Sequence, residues 1–143
     1  MSNINRSALV PYSCEQMYQL VDDIASYKDF LPWCGASVEN KREHSMVEAT
    51  VTITKGSINK AFSTRNSLQE NEQIEMQLLD GPFKKLHGFW RFEPLRENAS
   101  KISLELEFEF SNRLVGLAIG PIFNQIANTM VDAFVERAKS KYK

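Results

Sequence analysis

The residues that could do chemistry are few and widely spaced in this chain of 143 residues. Its two histidines, His44 and His87, have no Cys, Asp or Glu at metal-ligand spacing, which argues against a zinc site. The glycines frame neither a P-loop, a GxGxxG loop nor a GxSxG elbow. The side chains of the adjacent acidic pair Asp22-Asp23 would diverge on a helix. Since no nucleophile can be matched with a base, we expect a protein that binds rather than an enzyme.

The cysteines and the signals for targeting favour a cytoplasmic protein. Cys14 and Cys34 form no CxxC pair, so we expect no disulfide and a reducing environment. The N-terminus lacks the layout of a signal peptide, and the longest polar-free run, Leu114 to Phe123, is far shorter than the ~20 residues that span a bilayer.

The composition argues against nucleic acid as a general partner. The chain is 43% hydrophobic and 24% charged, with a net charge of -1, which is typical of a globular domain with no overall attraction for phosphate. Lys139, Lys141 and Lys143 could contact phosphates, but basic residues at a helix C-terminus are more typical of dipole compensation. We therefore expect no binding to DNA.

With catalytic, metal and DNA-binding sites disfavoured, the remaining candidate is binding in the apolar interior of the protein. Small residues such as Ala49, Gly88 and Ala127 are candidates to face inward and widen a space between helix and sheet. Such a space suits a hydrophobic small molecule, although stripes with this spacing are also typical of a plain core. Trp33 lies in an irregular turn, where its ring either plugs the edge of the core or lines a mouth.

The element that must form one wall of this interior is a long helix between Asn112 and Lys143. Its apolar residues follow two four-step ladders, which begin at Leu114 and Val115 and end at Ala138 and Val135. Each step overshoots a turn, so the stripe drifts by roughly 240° and requires a strongly curved partner or a bend at Gly120-Pro121. The run Leu114 to Phe123 is interpreted as core, with an exposed lip that touches a lipid or a membrane surface as the alternative.

The strands supply the curved partner. Residues 3–10 predict a first strand, Ser13 and Gln16 a capping box that starts a helix, and residues 26–33 a turn or short helix. Residues 36–110 alternate with period two between short turns, which predicts an antiparallel meander of five or six strands. The fold class is therefore α+β: a curved antiparallel sheet wrapped around a long C-terminal α-helix, with two short helices after the first strand.

Three segments resemble a known family. Tyr27 with Phe30-Leu31-Pro32-Trp33-Cys34 and Ser37 resembles the Y-x-x-F-L-P-W-C-x-x-S pattern of the coenzyme Q-binding START-like proteins. Residues 81–92 are similar to its G-P-F-K-x-L-x-G-x-W-x-F segment, and residues 133–138 to its A-F-x-x-R-A ending. The resemblance covers essentially residues 1–143 as one START-like domain and implies the helix-grip fold of the polyketide cyclase/dehydrase and lipid transport superfamily.

The resemblance also implies a function. Its leading implication is a tunnel that binds ubiquinone or a related polyprenyl quinone and supports respiration without catalysis. The predicted ligand-binding residues are Phe30, Pro32, Trp33, Leu78, Trp90, Leu104, Phe123, Met130 and Phe134. No cofactor or metal is expected besides the bound lipid. Transient contact with the inner face of a membrane would accompany such a role.

A second implication comes from the branch that the chain resembles most, the bacterial ribosome association toxins. It implies binding to the large ribosomal subunit and a block of subunit joining. A third alternative is a polyketide cyclase-like enzyme, which an inward His87 beside a carboxylate would favour. A shared fold does not choose among these functions.

Overall fold

The computed structural model describes residues 2–142 and consists of one curved antiparallel sheet with a long helix packed across its concave face. The strands are β1 (Ser2–Val10), β2 (Cys34–Glu43), β3 (Met46–Lys55), β4 (Ile58–Gln69), β5 (Gln73–Asp80), β6 (Phe83–Arg96) and β7 (Ala99–Phe110). The helices are α1 (Cys14–Asp22), α2 (Tyr27–Phe30) and α3 (Arg113–Lys141), with a 3₁₀ turn at Ile24–Ser26 before α2. The predicted fold class is confirmed.

The strand order follows from the short turns. The sheet runs β1-β7-β6-β5-β4-β3-β2, and every neighbouring pair is antiparallel. The predicted meander is therefore β2 to β7, because turns this short leave only the antiparallel neighbour within reach. β1 adds a seventh strand by pairing with β7, so the first and last strands within residues 2–142 lie side by side.

The period-two pattern of β7 buries one face of the sheet. Ile102, Leu104 and Phe108 are at most 2% exposed, and the glutamates between them face outward. In the register with β6, Trp90 lies opposite Leu104 and Phe92 lies opposite Ile102. The inward side chains of both strands therefore form one continuous apolar surface.

The start of α1 is fixed by the predicted capping box. Ser13 Oγ accepts a hydrogen bond from the Gln16 amide at 3.1 Å, and Gln16 Oε1 accepts one from the Ser13 amide at 3.0 Å. The helix then buries Met17, Leu20 and Val21, and it packs against α3 and the ends of β6 and β7. α1 thus closes one end of the fold.

α3 begins at the Asn112 cap, whose Oδ1 accepts a hydrogen bond from the Val115 amide at 2.9 Å, and it continues through Pro121. Its buried positions follow the predicted ladders from Ile119 and Phe123 to the end at Ala138, and leave out the first turns. The helix also meets the length and hydropathy criteria for a membrane span, which core helices of globular folds can meet too. A role of Gly120-Pro121 as a hinge stays a prediction.

The run Leu114 to Phe123 is divided between core and solvent. Ile119, Gly120 and Phe123 are buried, but Leu114 is 79% and Leu117 is 69% exposed. The interpretation of the whole run as core is therefore wrong for these two leucines, and also for Ala118 and Pro121, which are exposed as well. The physical reason is the drift of the apolar stripe: once the middle of α3 faces the sheet, its first turns point the leucine side of the stripe into solvent.

The C-terminal end of α3 meets the segment that leads from β1 into α1. The Tyr142 hydroxyl donates to the Gln16 carbonyl at 2.9 Å, and the rings of Tyr12 and Tyr142 are 5.8 Å apart. Ser100 at the start of β7 donates to the Tyr12 carbonyl at 2.9 Å. These contacts join residues more than 80 positions apart, since the Ser100–Tyr12 separation is 88 and the Tyr142–Gln16 separation is 126.

Candidate functional site

A cavity of about 90 Å³ lies between α3 and the concave face of the sheet, where the two apolar clusters of the core meet. One cluster surrounds Trp90 and Phe134 towards α1, and the other surrounds Phe108 and Phe123 towards the start of α3. The cavity is smaller than the roughly 150 Å³ space that holds a benzene ring in an engineered protein. In this conformation it has room for part of a small molecule only.

Five of the nine predicted ligand-binding residues lie on the cavity wall, namely Trp33, Trp90, Leu104, Phe123 and Met130. The other four lie elsewhere, and their placement follows from packing. Phe30 and Phe134 pack ring against ring, with centroids 5.4 Å apart, in the core beside the cavity. Pro32 lies on an outer groove, and Leu78 packs against the cluster around Phe108.

The small residues have different roles. Ala49 and Ala127 line the cavity, as predicted for residues that widen it. The same prediction is wrong for Gly88, because a Cβ placed there would lie 2.6 Å from the Glu105 carbonyl oxygen and 2.8 Å from Leu106 Cδ1. Gly88 therefore allows β6 and β7 to approach closely and leaves no open space.

Trp33 separates the cavity from a surface groove of about 450 Å³. Its ring and Ile126 border both spaces, while Pro32, Lys55 and Gln125 lie on the groove side. The turn is held by the Trp33 carbonyl, which accepts a hydrogen bond from the Thr54 amide at 2.8 Å. Trp33 therefore combines the two predicted alternatives. Its ring covers the edge of the core, and it also borders the groove beside the cavity.

The sequence reading did not nominate the remaining lining residues, which are Ile24, Tyr27, Val51, Ile53, Phe62, Thr64, Asn66, Met76, Leu86, Leu106 and Ile126. Two of them are polar. Thr64 Oγ1 donates to Asn66 Oδ1 at 3.0 Å, and Asn66 is only 6% exposed. On β4 they alternate in steps of two with Phe62 and Leu68, so all four side chains point to the same face of the sheet. This spacing is the signal in the sequence that indicates an inward orientation.

The cavity offers neutral polar groups only. Within residues 2–142 its lining includes no Asp, Glu, His, Lys or Arg side chain. The Tyr27 hydroxyl donates to the Val21 carbonyl, and burial raises the pKa of Tyr27, so the phenol stays neutral. Such a lining can bind and orient an apolar molecule, but it has no group that exchanges a proton near neutral pH.

His87 lies outside this cavity. Its Nε2 is 2.7 Å from Glu75 Oε2 on the outer face of the sheet, and its side chain is 37% exposed. The inward histidine beside a carboxylate that would favour cyclase chemistry is therefore not formed by His87.

The two thiols are free and poorly suited to nucleophilic chemistry. Burial raises the pKa of the Cys34 thiol, and it also raises the pKa of Cys14. Since the thiolate is the reactive form, both side chains stay protonated and unreactive at neutral pH.

The outer face of the sheet carries both signs of charge. Lys85 pairs with Glu107 at 3.0 Å, Arg65 with Glu48 at 2.8 Å, and Arg91 with Glu105. Exposed pairs of this kind contribute about 0–1 kcal/mol each to stability. Within these pairs the glutamates offset the charge of Lys85, Arg65 and Arg91.

The family model for polyketide cyclase/dehydrase and lipid transport proteins matches residues 10–135. The ribosome association toxin RatA from Pseudomonas aeruginosa is 48% identical over 99% of this chain and 98% of its own length. RatA from Escherichia coli K12 is 50% identical over 99% of this chain and 90% of its own. A mitochondrial coenzyme Q-binding protein COQ10 homolog B from Xenopus laevis is 27% identical over 96% of this chain and 58% of its own.

Solved structures show the same fold. The ZhuI aromatase/cyclase from Streptomyces has a TM-score of 0.87 at 11% identity, with 99% of this chain and 96% of that chain covered. A START superfamily protein from Mycobacterium smegmatis has a TM-score of 0.81 at 18% identity, with 96% of this chain and 97% of that chain covered. At this level of identity the likeness concerns the arrangement of sheet and helices alone.

Proposed function

Because the chain belongs to the polyketide cyclase/dehydrase and lipid transport family, we propose that it uses this scaffold for binding, without catalysis, and that its main partner is the ribosome. The observation that carries the proposal is the 48% and 50% identity to ribosome association toxins over nearly the whole of both chains. We further propose that it binds the large subunit and blocks its joining to the small subunit. This proposal places the protein in the cytoplasm.

The closed interior supports a function of the surface. A cavity of about 90 Å³ is too small for a polyprenyl chain without rearrangement, whereas a function of the surface does not depend on the volume of the cavity. The net charge of -1 and the paired outer face predict few phosphate contacts. We therefore expect an affinity that falls with salt, but with a shallow slope, because each phosphate contact contributes only about one unit to that slope.

Gradient sedimentation tests ribosome binding. Purified protein added to ribosomes is expected to lower the peak of joined ribosomes, raise the peaks of free subunits and migrate with the large subunit at low salt. Raising the salt should release the protein. An unchanged subunit profile, with the protein at the top of the gradient at every salt concentration, would contradict the proposal.

A hydrophobic ligand such as ubiquinone is the second candidate. Two observations favour it: the lining is apolar except for Thr64 and Asn66, and Trp33 with Ile126 forms the boundary between cavity and groove. Displacement of Trp33 towards the groove would join the two spaces and make room for a quinone ring. The lower identity of 27% to the coenzyme Q-binding relative makes this candidate secondary.

Filling the cavity distinguishes the two candidates. Ala49→Leu places a larger side chain in the cavity, whereas Ala61→Leu is a matched change on an exposed position of β4. If quinone binds in the cavity, a short-chain ubiquinone should quench Trp33 and Trp90 emission in wild type and in Ala61→Leu, with quenching lost in Ala49→Leu. Ribosome binding should persist in both variants, provided that circular dichroism shows them folded. Quenching that is absent in wild type, or equal in all three proteins, would contradict binding in the cavity.

A further inference from the structure

The first turns of α3 expose an apolar surface on a firmly held helix. Leu114, Leu117, Ala118 and Pro121 are all exposed and lie on one side of the helix because their spacing is three or four residues. We refer to these four residues as the apolar lip. In a helix with no function on this side, such positions are usually polar.

The helix cannot roll to bury the lip. On its other side Ile119 and Phe123 are each 3% exposed, and the Phe123 ring lies 4.8 Å from the Phe108 ring. A Cβ at Gly116 would lie 3.5 Å from Phe110, so this turn also contacts the sheet closely. The two leucines are therefore held in solvent by the packing of the opposite side.

The charges that flank the lip are basic. Arg113 is the only charged residue of α3 before Asp132. Lys55 Nζ donates to Gln125 Oε1 at 3.2 Å, one turn beyond the lip. Lys60 is exposed and lies opposite Ile53 in the β3–β4 register, hence on the face of the sheet that α3 covers.

The acidic residues at this end of the fold lie on the other face of the sheet. Glu107 and Glu109 alternate with the buried Phe108 and pair with Lys85 at 3.0 Å and Lys84 at 3.5 Å. Asp80 lies opposite Ser63, whose hydroxyl bonds to Thr50 on that same outer face. The side that carries the lip therefore has no acidic neighbour from these strands. On α3 itself, Asp132 and Glu136 share a groove with Lys55, but they lie eleven or more positions beyond Pro121.

We propose that the apolar lip docks on an anionic lipid surface, with Leu114 and Leu117 inserted at the boundary between headgroups and acyl chains. Arg113, Lys55 and Lys60 then lie at the level of the phosphates. An apolar helix face bordered by basic residues matches this boundary in both polarity and charge. Ribosomal RNA would engage the basic residues but would leave the leucines exposed to water, so RNA matches the lip less well.

The contact would be reversible, because a short lip inserts few apolar groups and stable anchoring requires more than one strong signal. It would also bring a particular part of the interior close to the lipid. Phe123, Ile126 and Ala127, which line the cavity, lie on the next turns of the same helix.

Vesicle flotation tests the proposal with the full chain. Wild type is expected to float with vesicles of phosphatidylcholine and phosphatidylglycerol in equal parts and to bind pure phosphatidylcholine more weakly. The double variant Leu114→Asn/Leu117→Asn should bind at least about tenfold more weakly. The matched control Leu9→Asn/Leu95→Asn changes two leucines that are 72% and 49% exposed on strands, and it should bind like wild type. Arg113→Gln/Lys60→Gln should lower binding to the anionic vesicles only.

Three outcomes would overturn the proposal. The first is wild-type protein that does not float with anionic vesicles, and the second is an equal loss in the Leu9/Leu95 control. The third is a lip variant that floats normally but no longer sediments with ribosomes, which would assign the lip to the ribosome. Since vesicle binding and ribosome sedimentation are measured separately, failure of one proposal is distinguishable from failure of the other.

Discussion

Truncation of Phe134 to alanine is expected to lower the free energy of unfolding by about 3–5 kcal/mol. Phe134 is fully buried, and its ring packs edge to face against Tyr27, Phe30 and Trp90 with centroids 5.3, 5.4 and 5.3 Å away. Removal of the ring leaves a cavity lined by three aromatic side chains and also removes their specific contacts. Denaturant unfolding followed by tryptophan emission measures the change.

The matched control for Phe134 lies on the same helix. Leu117→Ala removes an apolar side chain that is 69% exposed, and we expect a change within about 0.5 kcal/mol. Both substitutions shorten an apolar side chain of α3 that the sequence pattern places in the core, but only Phe134 is buried. Equal effects of the two variants would contradict the described orientation of the helix.

Gly88→Ala is expected to destabilise the protein by about 1–3 kcal/mol. The added methyl group would lie 2.6 Å from the Glu105 carbonyl oxygen and 3.3 Å from the Leu106 Cα, so backbone must move. Gly88 is at the centre of the β6–β7 pairing, opposite Leu106, which leaves little freedom for that movement. The measurement is the midpoint of chemical or thermal unfolding.

Gly116→Ala gives the opposite expectation. Its Cβ would meet Phe110 Cδ2 at 3.5 Å, which is an ordinary contact, and alanine is favoured over glycine in a helix by about 0.8–1.0 kcal/mol. We expect a small stabilisation. If both glycine variants shift the midpoint in the same direction and by the same amount, the close approach of β6 and β7 at Gly88 is not a constraint.

Local patterns predicted the elements well, because the physics that forms them is local. The alternation of β7 and the reciprocal bonds of Ser13 and Gln16 depend on residues within a few positions. Local patterns do not predict the pairing of β1 with β7, because no residue of Ser2–Val10 specifies a partner about 100 positions away. The sheet therefore has one strand more than the predicted meander.

The candidate site was predicted less completely, for a different reason. Helical spacing places both Leu114 and Phe123 on apolar ladders. Because the apolar stripe drifts around the helix, only contact with the sheet decides that Phe123 is buried and Leu114 is exposed. Helical spacing predicts Phe134 as inward and strand alternation predicts Trp90 as inward, yet only Trp90 reaches the cavity. Thr64 and Asn66 are not predicted from the sequence, because polar side chains in a strand usually face outward.

The pairing of β1 with β7 also orders the events of folding. During synthesis β1 leaves the ribosome well before its partner, residues 99–110, which follows about 90 residues later. At roughly 5–20 residues per second this strand waits on the order of ten seconds without its ladder, and non-local pairings of this kind also slow the folding itself. The contacts from Tyr142 to Gln16 and Tyr12 form only after the whole of α3 has been synthesised. We propose that this protein acts on ribosomes. The ribosome that synthesises it is therefore the one that it contacts before α3 has packed against the sheet.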